Sequence, residues 1–201
     1  MCNYTKPDKL MAVLESFKNL FGVLWEFVEA VVFALMIFFV CYLLLFQPNQ
    51  VKGHSMEPTF HDLEFILTDK ISYRLGTPQR GDIVVFRSPK NADVDFIKRI
   101  IGMPGETVKI SGGKVFINGQ VLDESAYLDP TVYSGPESYL SDNHDLIIPS
   151  GKYFVMGDNR MGSSDSRDFG PVLPSEFVGK VFFRYWPINR FGRITGVAYT
   201  L

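Results

Sequence analysis

An uncharged apolar run near the N-terminus constrains the fold of this chain most strongly. Residues 30–46 read AVVFALMIFFVCYLLLF. At ~1.5 Å per residue, the ~20 residues that cross a ~30 Å hydrocarbon core are reached if the span begins in the last turn before Ala30. We therefore predict a transmembrane anchor over residues 30–46 and a water-soluble body over residues 47–201.

The segment before the anchor has helical periodicity. Its apolar side chains recur at spacings of three and four, whereas Lys18 and Glu26 lie elsewhere around the helix. This pattern predicts a cytoplasmic tail and an amphipathic interfacial helix over residues 1–29. The alternative is a bundle or coiled-coil helix of a soluble domain, which the strongly apolar run that follows disfavours. The periodic residues are Leu10, Val13, Leu14, Phe17, Leu20, Phe21, Leu24, Trp25 and Val28.

The leader does not have the pattern of a cleaved secretory signal. The residues after Phe46, Gln47–Gln50, lack an A-x-A-like site, so we expect the anchor to stay attached. Three lysines precede the anchor, which favours a cytoplasmic N-terminus, although Lys52 follows the span closely. We expect a single-pass protein of the cell (plasma) membrane with an extracytoplasmic body, and an organellar membrane remains an alternative.

Composition excludes several classes of function. The formal net charge is −2, and so low a charge gives no broad basic footprint for nucleic acid. Both cysteines, Cys2 and Cys41, lie in the leader, so neither a disulfide framework nor a cysteine-built zinc site can hold the body together. We expect no nucleic acid, no metal and no cofactor.

The body has the pattern of a mainly β domain. Short alternating or apolar runs are separated by turn residues, with Gly112-Gly113 and Asn118-Gly119 as hairpin signals. Residues 122–143 show no periodicity, and we interpret them as an insertion or flexible hairpin without assigned chemistry. The predicted strands are Phe65–Thr68, Asp82–Phe86, Asp95–Ile101, Thr107–Ile110, Val115–Ile117, Lys152–Met156 and Gly179–Tyr185.

Histidine and metal chemistry are disfavoured by spacing. His54 precedes Ser55, but neighbours on an extended chain project to opposite sides, so His54 is expected to be a spacer rather than a base. The three histidines have no metal-ligand spacing. The acidic loop over residues 158–165 carries Arg160 where a calcium loop needs an oxygen ligand, so calcium is rejected as well.

What remains is a serine with a lysine as its base. Ser55 follows the span by about nine residues, which keeps its hydroxyl near the bilayer surface. Lys98 shares a strand face with Phe96 and Ile100, and burial there would disfavour its charge. Lowering its pKa from about 10.4 to about 7 or 8 corresponds to roughly 4 kcal/mol. The alternative is an ordinary surface lysine whose stem packs on the strand.

Four segments in order behind the anchor resemble the type I signal peptidases, membrane-bound Ser/Lys proteases that remove signal peptides from exported proteins. The resemblance extends from the span to about Pro187. It implies a signal-peptidase-like β-barrel or sheet as the catalytic body, with one N-terminal transmembrane helix. The segments are Ser55–Thr59 (SMEPT), Arg80–Phe86 (RGDIVVF), Lys98–Glu106 (KRIIGMPGE) and Gly157–Arg167 (GDNRMGSSDSR).

The resemblance implies a role for each matching residue. Ser55 is the expected nucleophile and Lys98 the general base, and Ser163 is expected to orient the lysine amine. Gly53 stands where some members carry a serine that adds a hydroxyl to the oxyanion hole. The remaining implied residues are the supporting pairs Arg99–Asp158 and Arg167–Asp165, and Met56, Phe60, Ile66, Phe96 and Ile97 near the substrate pockets, where plain core packing is an equal alternative.

The implied substrates are signal peptides of exported preproteins, cleaved after small residues in an A-x-A-like pattern. The substrate would add as an extended strand beside Asp95–Lys98, close to the lipid bilayer and to the secretion translocon. Two other hypotheses remain open. One is a Ser/Lys self-cleaving protease of the kind fused to repressors, and the other is a catalytically silent membrane-tethered domain that binds peptides.

Overall fold

The computed structural model describes residues 9–197 and residue 199, and the chain divides into two compact units, residues 1–44 and 45–201. The first unit is dominated by one helix, α1 (Lys9–Leu45), whose large apolar side chains are exposed. Its stretch Met11–Leu45 is long and apolar enough to cross a membrane. One unbroken helix thus covers most of the predicted interfacial segment and nearly all of the anchor.

The second unit contains two antiparallel sheets, which confirms the predicted mainly β body. Seven strands form one sheet in the order β1-β2-β10-β3-β4-β9, with β11 beside β10, and the other sheet has the order β7-β6-β5-β8. The strands are β1 (Phe46–Gln50), β2 (Phe65–Asp69), β3 (Ile83–Arg87), β4 (Asp95–Gly102), β5 (Thr107–Ser111), β6 (Lys114–Ile117), β7 (Gln120–Val121), β8 (Leu146–Ile147), β9 (Phe154–Met156), β10 (Phe177–Trp186) and β11 (Gly192–Arg193). The short helices are α2 (Ser72–Leu75) and α3 (Ser166–Phe169), with 3₁₀ turns at Pro174–Glu176 and Ile188–Arg190.

Strand β1 differs from the sequence-based interpretation. No strand was predicted over residues 47–50, but they pair with β2 at the edge of the larger sheet. Pro48 fits this place because an edge strand has an outer side on which a missing N–H removes no ladder hydrogen bond. The strand begins at the residue after the last residue of α1.

Strand β4 has one half with a free edge. Residues Asp95–Arg99 all pair with β3, but β9 pairs only with residues from Arg99 onward. Among the pairings of the described strands, Asp95–Lys98 therefore has a partner on one side only. A strand edge of this kind can accept an added extended peptide.

Three hydrophobic clusters form the core, and β4 contributes to all of them. Ile101 belongs to the cluster under the smaller sheet, Ile100 to the cluster around Phe86, and Ile97 packs against the cluster around Phe60. The packing of these three isoleucines holds the charged residues between them in place. Lys98 and Arg99 therefore project from a rigid strand.

Candidate active site

Ser55 lies in a turn-rich segment between β1 and β2. The ends of this segment are closed by hydrogen bonds from Val51 N–H to Glu64 O (2.8 Å) and from Leu63 N–H to Val51 O (2.9 Å). Met56 and Phe60, at 1% and 0% exposure, anchor the segment in the core. The serine between these anchors stays half-buried, so its hydroxyl is held in place and still reachable.

Lys98 extends from β4 to Ser55. Its Nζ lies 2.8 Å from Ser55 Oγ and 2.9 Å from the Ile97 carbonyl oxygen, and 5.1 Å from the centroid of the Phe96 ring. The side chain is only 3% exposed. Burial lowers the pKa of Lys98 to about 8, although Asp165 and Asp158 oppose the shift by favouring the ammonium form.

Two buried ion pairs flank the lysine. Arg99 donates from Nε to Asp158 Oδ1 (2.9 Å) and from Nη2 to Oδ2 (2.7 Å). Arg167 holds Asp165 in the same bidentate way, at 2.8 and 2.7 Å. Burial disfavours the charge of Arg99, but the bonds to Asp158 outweigh it and raise the pKa of the guanidinium. Bidentate pairs of this kind hold both partners in one geometry. We call Lys98 and the pairs Arg99–Asp158 and Arg167–Asp165 the buried floor.

Ser163 is buried close to the nucleophile but makes no hydrogen bond to Lys98. Its Oγ has no hydrogen-bond partner among the described residues. A Cβ added at Gly157 would lie 2.2 Å from Ser163 Oγ and 2.5 Å from the Ser55 carbonyl oxygen. Gly157 therefore lets the two serine segments approach each other, and the expected orienting role of Ser163 stays a prediction.

A cleft of about 740 Å³ opens beside Ser55 and Lys98. Its lining includes residues of β1 and of the free half of β4. Of the expected substrate-binding residues, Ile66, Phe96 and Ile97 line the cleft. Met56 and Phe60 instead pack into the core, where they support the nucleophile turn.

His54, Glu57 and His61 form a second group of titratable side chains beside the nucleophile, which we call the exposed rim. His54 Nδ1 lies 2.8 Å from Glu57 Oε1, and the two side chains are 66% and 35% exposed. His61 Nδ1 is 3.4 Å from the same oxygen. The hydrogen bond that the protonated His54 ring donates to the Glu57 carboxylate raises the pKa of His54. The His54 ring is thus directed to Glu57, in line with the expectation that it is a spacer.

The segment over residues 122–143, to which no chemistry was assigned, contacts the active-site loop. Arg160 is buried and donates from Nη1 to Glu124 Oε2 (2.7 Å) and to Ser134 Oγ (2.6 Å). The Tyr127 ring lies 3.9 Å from the Arg99 guanidinium carbon. Sequence reasoning missed these residues because their partners are distant in the chain. The available signal was Arg160, an arginine of the Gly157–Arg167 motif to which no acidic partner had been assigned.

Asn159 was also missed, although it stands in the same motif. Its backbone N–H donates to the Ser55 carbonyl oxygen (3.0 Å), and its side-chain Nδ2 donates to the His54 carbonyl oxygen (3.1 Å). The Gly157–Arg167 motif thus holds the nucleophile turn through two hydrogen bonds to its backbone. A cluster of three or more His, Cys, Asp or Glu side chains suited to a metal ion is not found in the described part of the chain.

Comparison with known proteins identifies the family of the chain. The family model "Signal peptidase, peptidase S26" matches residues 24–186. "Signal peptidase IB" of Staphylococcus aureus is 35% identical over 179 residues, which cover 84% of this chain and 92% of that protein. "Probable signal peptidase I-2" of Synechocystis sp. is 40% identical over 155 residues, 74% of this chain and 67% of that one. A crystal structure of a signal peptidase I from Enterococcus faecalis is 34% identical, with a TM-score of 0.41, over 52% of this chain and 96% of that one.

The chain belongs to the signal peptidase family, peptidase S26, and within it to the type I signal peptidases. The expected class of enzyme, a signal peptidase that acts as a serine protease, is thereby confirmed. Membership also supports signal peptides as substrates, and the long apolar helix α1 is consistent with membrane anchoring.

Proposed function

We propose that the protein cleaves signal peptides with Ser55 as nucleophile and uncharged Lys98 as general base. The observation that carries this proposal is the 2.8 Å separation of Lys98 Nζ and Ser55 Oγ in a buried setting. A general base must lie within hydrogen-bond reach of the proton that it removes. Its pKa of about 8 leaves part of the lysine population neutral near pH 7 to 8, so an uncharged amine is present in that pH range.

The reaction then has two acyl-transfer steps. Lys98 Nζ takes the Ser55 hydroxyl proton as Oγ bonds to the scissile carbonyl carbon, and the carbonyl electron pair moves onto its oxygen. The tetrahedral intermediate collapses, the C–N bond breaks, and the proton on Lys98 passes to the leaving amine. Lys98 next takes a proton from water, which attacks the ester carbonyl. Collapse of that intermediate frees the signal-peptide carboxyl end and returns the proton to Ser55 Oγ.

The oxyanion needs at least one donor, and the Ser55 N–H fits this role. No hydrogen bond within the described part of the chain uses this N–H as its donor. Gly53 supplies no hydroxyl at the position where some members of the family carry serine, and its own N–H donates to Asp62 Oδ1 at 2.7 Å. Each donor to an oxyanion contributes roughly 10²–10³ in kcat, so the single backbone donor matters strongly.

We infer that the substrate binds as a strand in the cleft between β1 and the free half of β4. Main-chain groups of Asp95–Lys98 would pair with the peptide, and alternate side chains would point into the walls. Ile66, Phe96 and Ile97 line the cleft, and we infer that the small side chains of an A-x-A pattern pack against them. A charged substrate side chain packed against these three apolar residues would be disfavoured.

We further propose a single-pass topology in the cell (plasma) membrane, with residues 1–29 toward the cytoplasm and residues 47–201 outside. The three lysines before the anchor support this orientation. An enzyme so placed works at the outer bilayer surface, where preproteins leave the secretion translocon. That site of action agrees with the short distance in sequence between the anchor and Ser55.

The proposal is tested by preprotein cleavage with full-length enzyme in detergent or lipid. Ser55→Ala and Lys98→Ala are expected to abolish cleavage, because each removes one partner of the reacting pair. The matched control is His54→Ala, which changes the other titratable neighbour of Ser55 and is expected to retain activity. Full activity in Lys98→Ala would rule out the proposed base, and signal-peptide binding without cleavage by the wild type would favour a binding module.

A further inference from the structure

The N–H and the carbonyl of the peptide group between His54 and Ser55 have different roles. Its N–H belongs to Ser55 and, on the proposed function, faces the oxyanion. Its carbonyl oxygen belongs to His54 and accepts two hydrogen bonds, from Glu57 N–H (3.2 Å) and from Asn159 Nδ2 (3.1 Å). The second of these bonds comes from a residue 105 positions away in the sequence. The peptide group that carries the oxyanion donor is thus hydrogen-bonded, at its carbonyl end, to Asn159 of the Gly157–Arg167 motif.

The Asn159 amide is fixed in the orientation that this contact needs. Its Oδ1 accepts a hydrogen bond from Gly162 N–H (3.2 Å), which directs Nδ2 toward the His54 carbonyl. A Cβ added at Gly162 would lie 2.9 Å from Nδ2 and 3.2 Å from Cγ of Asn159. The amide therefore packs directly on the glycine backbone. Any side chain at residue 162 would push the amide away from its partner.

We propose that Asn159 is a positioning residue for the oxyanion, because its side-chain amide orients and polarises the His54–Ser55 peptide so that Ser55 N–H donates to the developing negative charge. The inference rests on the proposed function. A hydrogen bond to the carbonyl end of a peptide group strengthens the N–H end as a donor, since bonded peptide groups polarise one another. It also fixes the plane of the group, so the donor needs no reorganisation during the reaction.

The role matters more in this chain because Gly53 leaves the oxyanion without a serine hydroxyl. Because the oxyanion then has one backbone donor, the alignment of Ser55 N–H determines much of the stabilisation of the negative charge. Asn159 also binds the Ser55 carbonyl oxygen through its backbone N–H at 3.0 Å. Asn159 thus binds both peptide units that flank the nucleophile, and loss of its side chain would leave the unit that carries the oxyanion donor with only the Glu57 N–H bond at its carbonyl end.

The test compares Asn159→Ala and Gly162→Ala with wild-type full-length enzyme in detergent. Asn159→Ala removes the amide, and Gly162→Ala displaces it without changing its chemistry. We expect kcat to fall ~10–100-fold in Asn159→Ala and less in Gly162→Ala, with KM within about twofold of wild type. The affinity for a peptide boronic acid, which forms a tetrahedral anion on Ser55, should fall by the same factor as kcat. The low-pH limb of the rate profile should not move, because Lys98 is untouched.

Asn118→Asp is the matched control. Asn118 Oδ1 accepts from Thr107 N–H in the smaller sheet (2.9 Å), and aspartate keeps that acceptor, so cleavage should equal wild type. Unchanged boronic-acid affinity in Asn159→Ala, or a loss that only follows the unfolded fraction in thermal unfolding, would overturn the inference. If the wild type itself leaves the preprotein uncut, the proposed function fails. If Asn159→Ala cleaves as fast as an active wild type, only the positioning role fails.

Discussion

The buried floor and the exposed rim both place titratable groups beside Ser55, and they differ in how the protein treats charge. In the floor, Lys98 is nearly inaccessible and burial lowers its pKa to about 8. In the rim, His54 is open to water and Glu57 raises its pKa. The difference shows that burial lowers the pKa of a lysine, whereas a histidine next to Ser55 in sequence stays hydrated; on the proposed function, this makes Lys98 the base and leaves His54 outside the chemistry.

Breaking the floor should have the largest effect on stability. Asp165 accepts from Arg167, from Gly157 N–H (3.0 Å) and caps α3. Asp165→Ala leaves Arg167 buried without this partner, and losing one member of a buried pair costs about 3–5 kcal/mol. Thermal unfolding of the detergent-solubilised enzyme measures the loss. Glu57→Gln in the exposed rim should change stability far less, and equal losses in the two variants would contradict the distinction between floor and rim.

Replacing the base should separate activity from stability. Lys98→Met keeps the length of the side chain, so we expect no cleavage but a more stable fold, by up to about 3 kcal/mol near pH 7, the cost that corresponds to the lowered pKa. Because the folded-state pKa is depressed, the penalty is complete below pH 8 and shrinks as the pH rises from about 8 toward the usual 10.5. Unfolding of wild type and Lys98→Met at pH 7 and pH 10 tests this sign, and a gap that widens with pH would contradict it.

The support from residues 122–143 should have an intermediate effect. Glu124→Gln removes the charge that faces buried Arg160, and leaving a buried charge poorly paired costs about 1–3 kcal/mol. We expect a lower unfolding temperature and slower cleavage, because Arg160 also donates to Gly157 O at 3.0 Å beside the site. The control is Asp123→Asn, whose exposed side chain caps only Ser125. Identical behaviour of the two variants would argue against a supporting role.

The smallest effect is expected in the rim itself. Glu57→Gln removes the group that raises the pKa of His54, so the pKa of His54 should fall toward its usual 6.5. Cleavage between pH 7 and pH 9 should change less than about twofold, because His54 carries no proton in the proposed mechanism. Histidine NMR titration and preprotein cleavage on the same samples check both expectations. A cleavage rate that follows the His54 titration would assign the base to the rim.

The sequence predicted the parts of the fold that depend on local pattern. Period-two alternation and the hairpin signals at Gly112-Gly113 and Asn118-Gly119 located strands to within a few residues, because those signals are local. Strand β1 was missed, because Pro48 and the polar residues around it resemble a linker and only pairing with β2 makes them a strand. The face shared by Lys98 and Phe96 was also readable from alternation, and the two side chains lie in contact.

The site was predictable only where a motif carried it. Ser55 and Lys98 came from the ordered motifs, and the structure places them within hydrogen-bond distance. Contacts between distant segments, such as Glu124 with Arg160 or Asn159 with His54, leave no periodic trace in the sequence. Burial of Met56 and Phe60 likewise depends on the tertiary fold, which packs them under the nucleophile turn rather than along the cleft.

The central claim is that Lys98 is uncharged when it takes the Ser55 proton, and titration of its own nitrogen tests this most directly. Enzyme labelled with ¹⁵N at lysine Nζ would be followed by NMR across pH 6 to 11, with Lys98→Met to assign the signal. We predict that Lys98 titrates near pH 8 and that kcat/KM for preprotein cleavage rises through the same pH. A Lys98 signal that titrates near the usual 10.5, while kcat/KM has already reached its plateau by pH 8, would contradict the account.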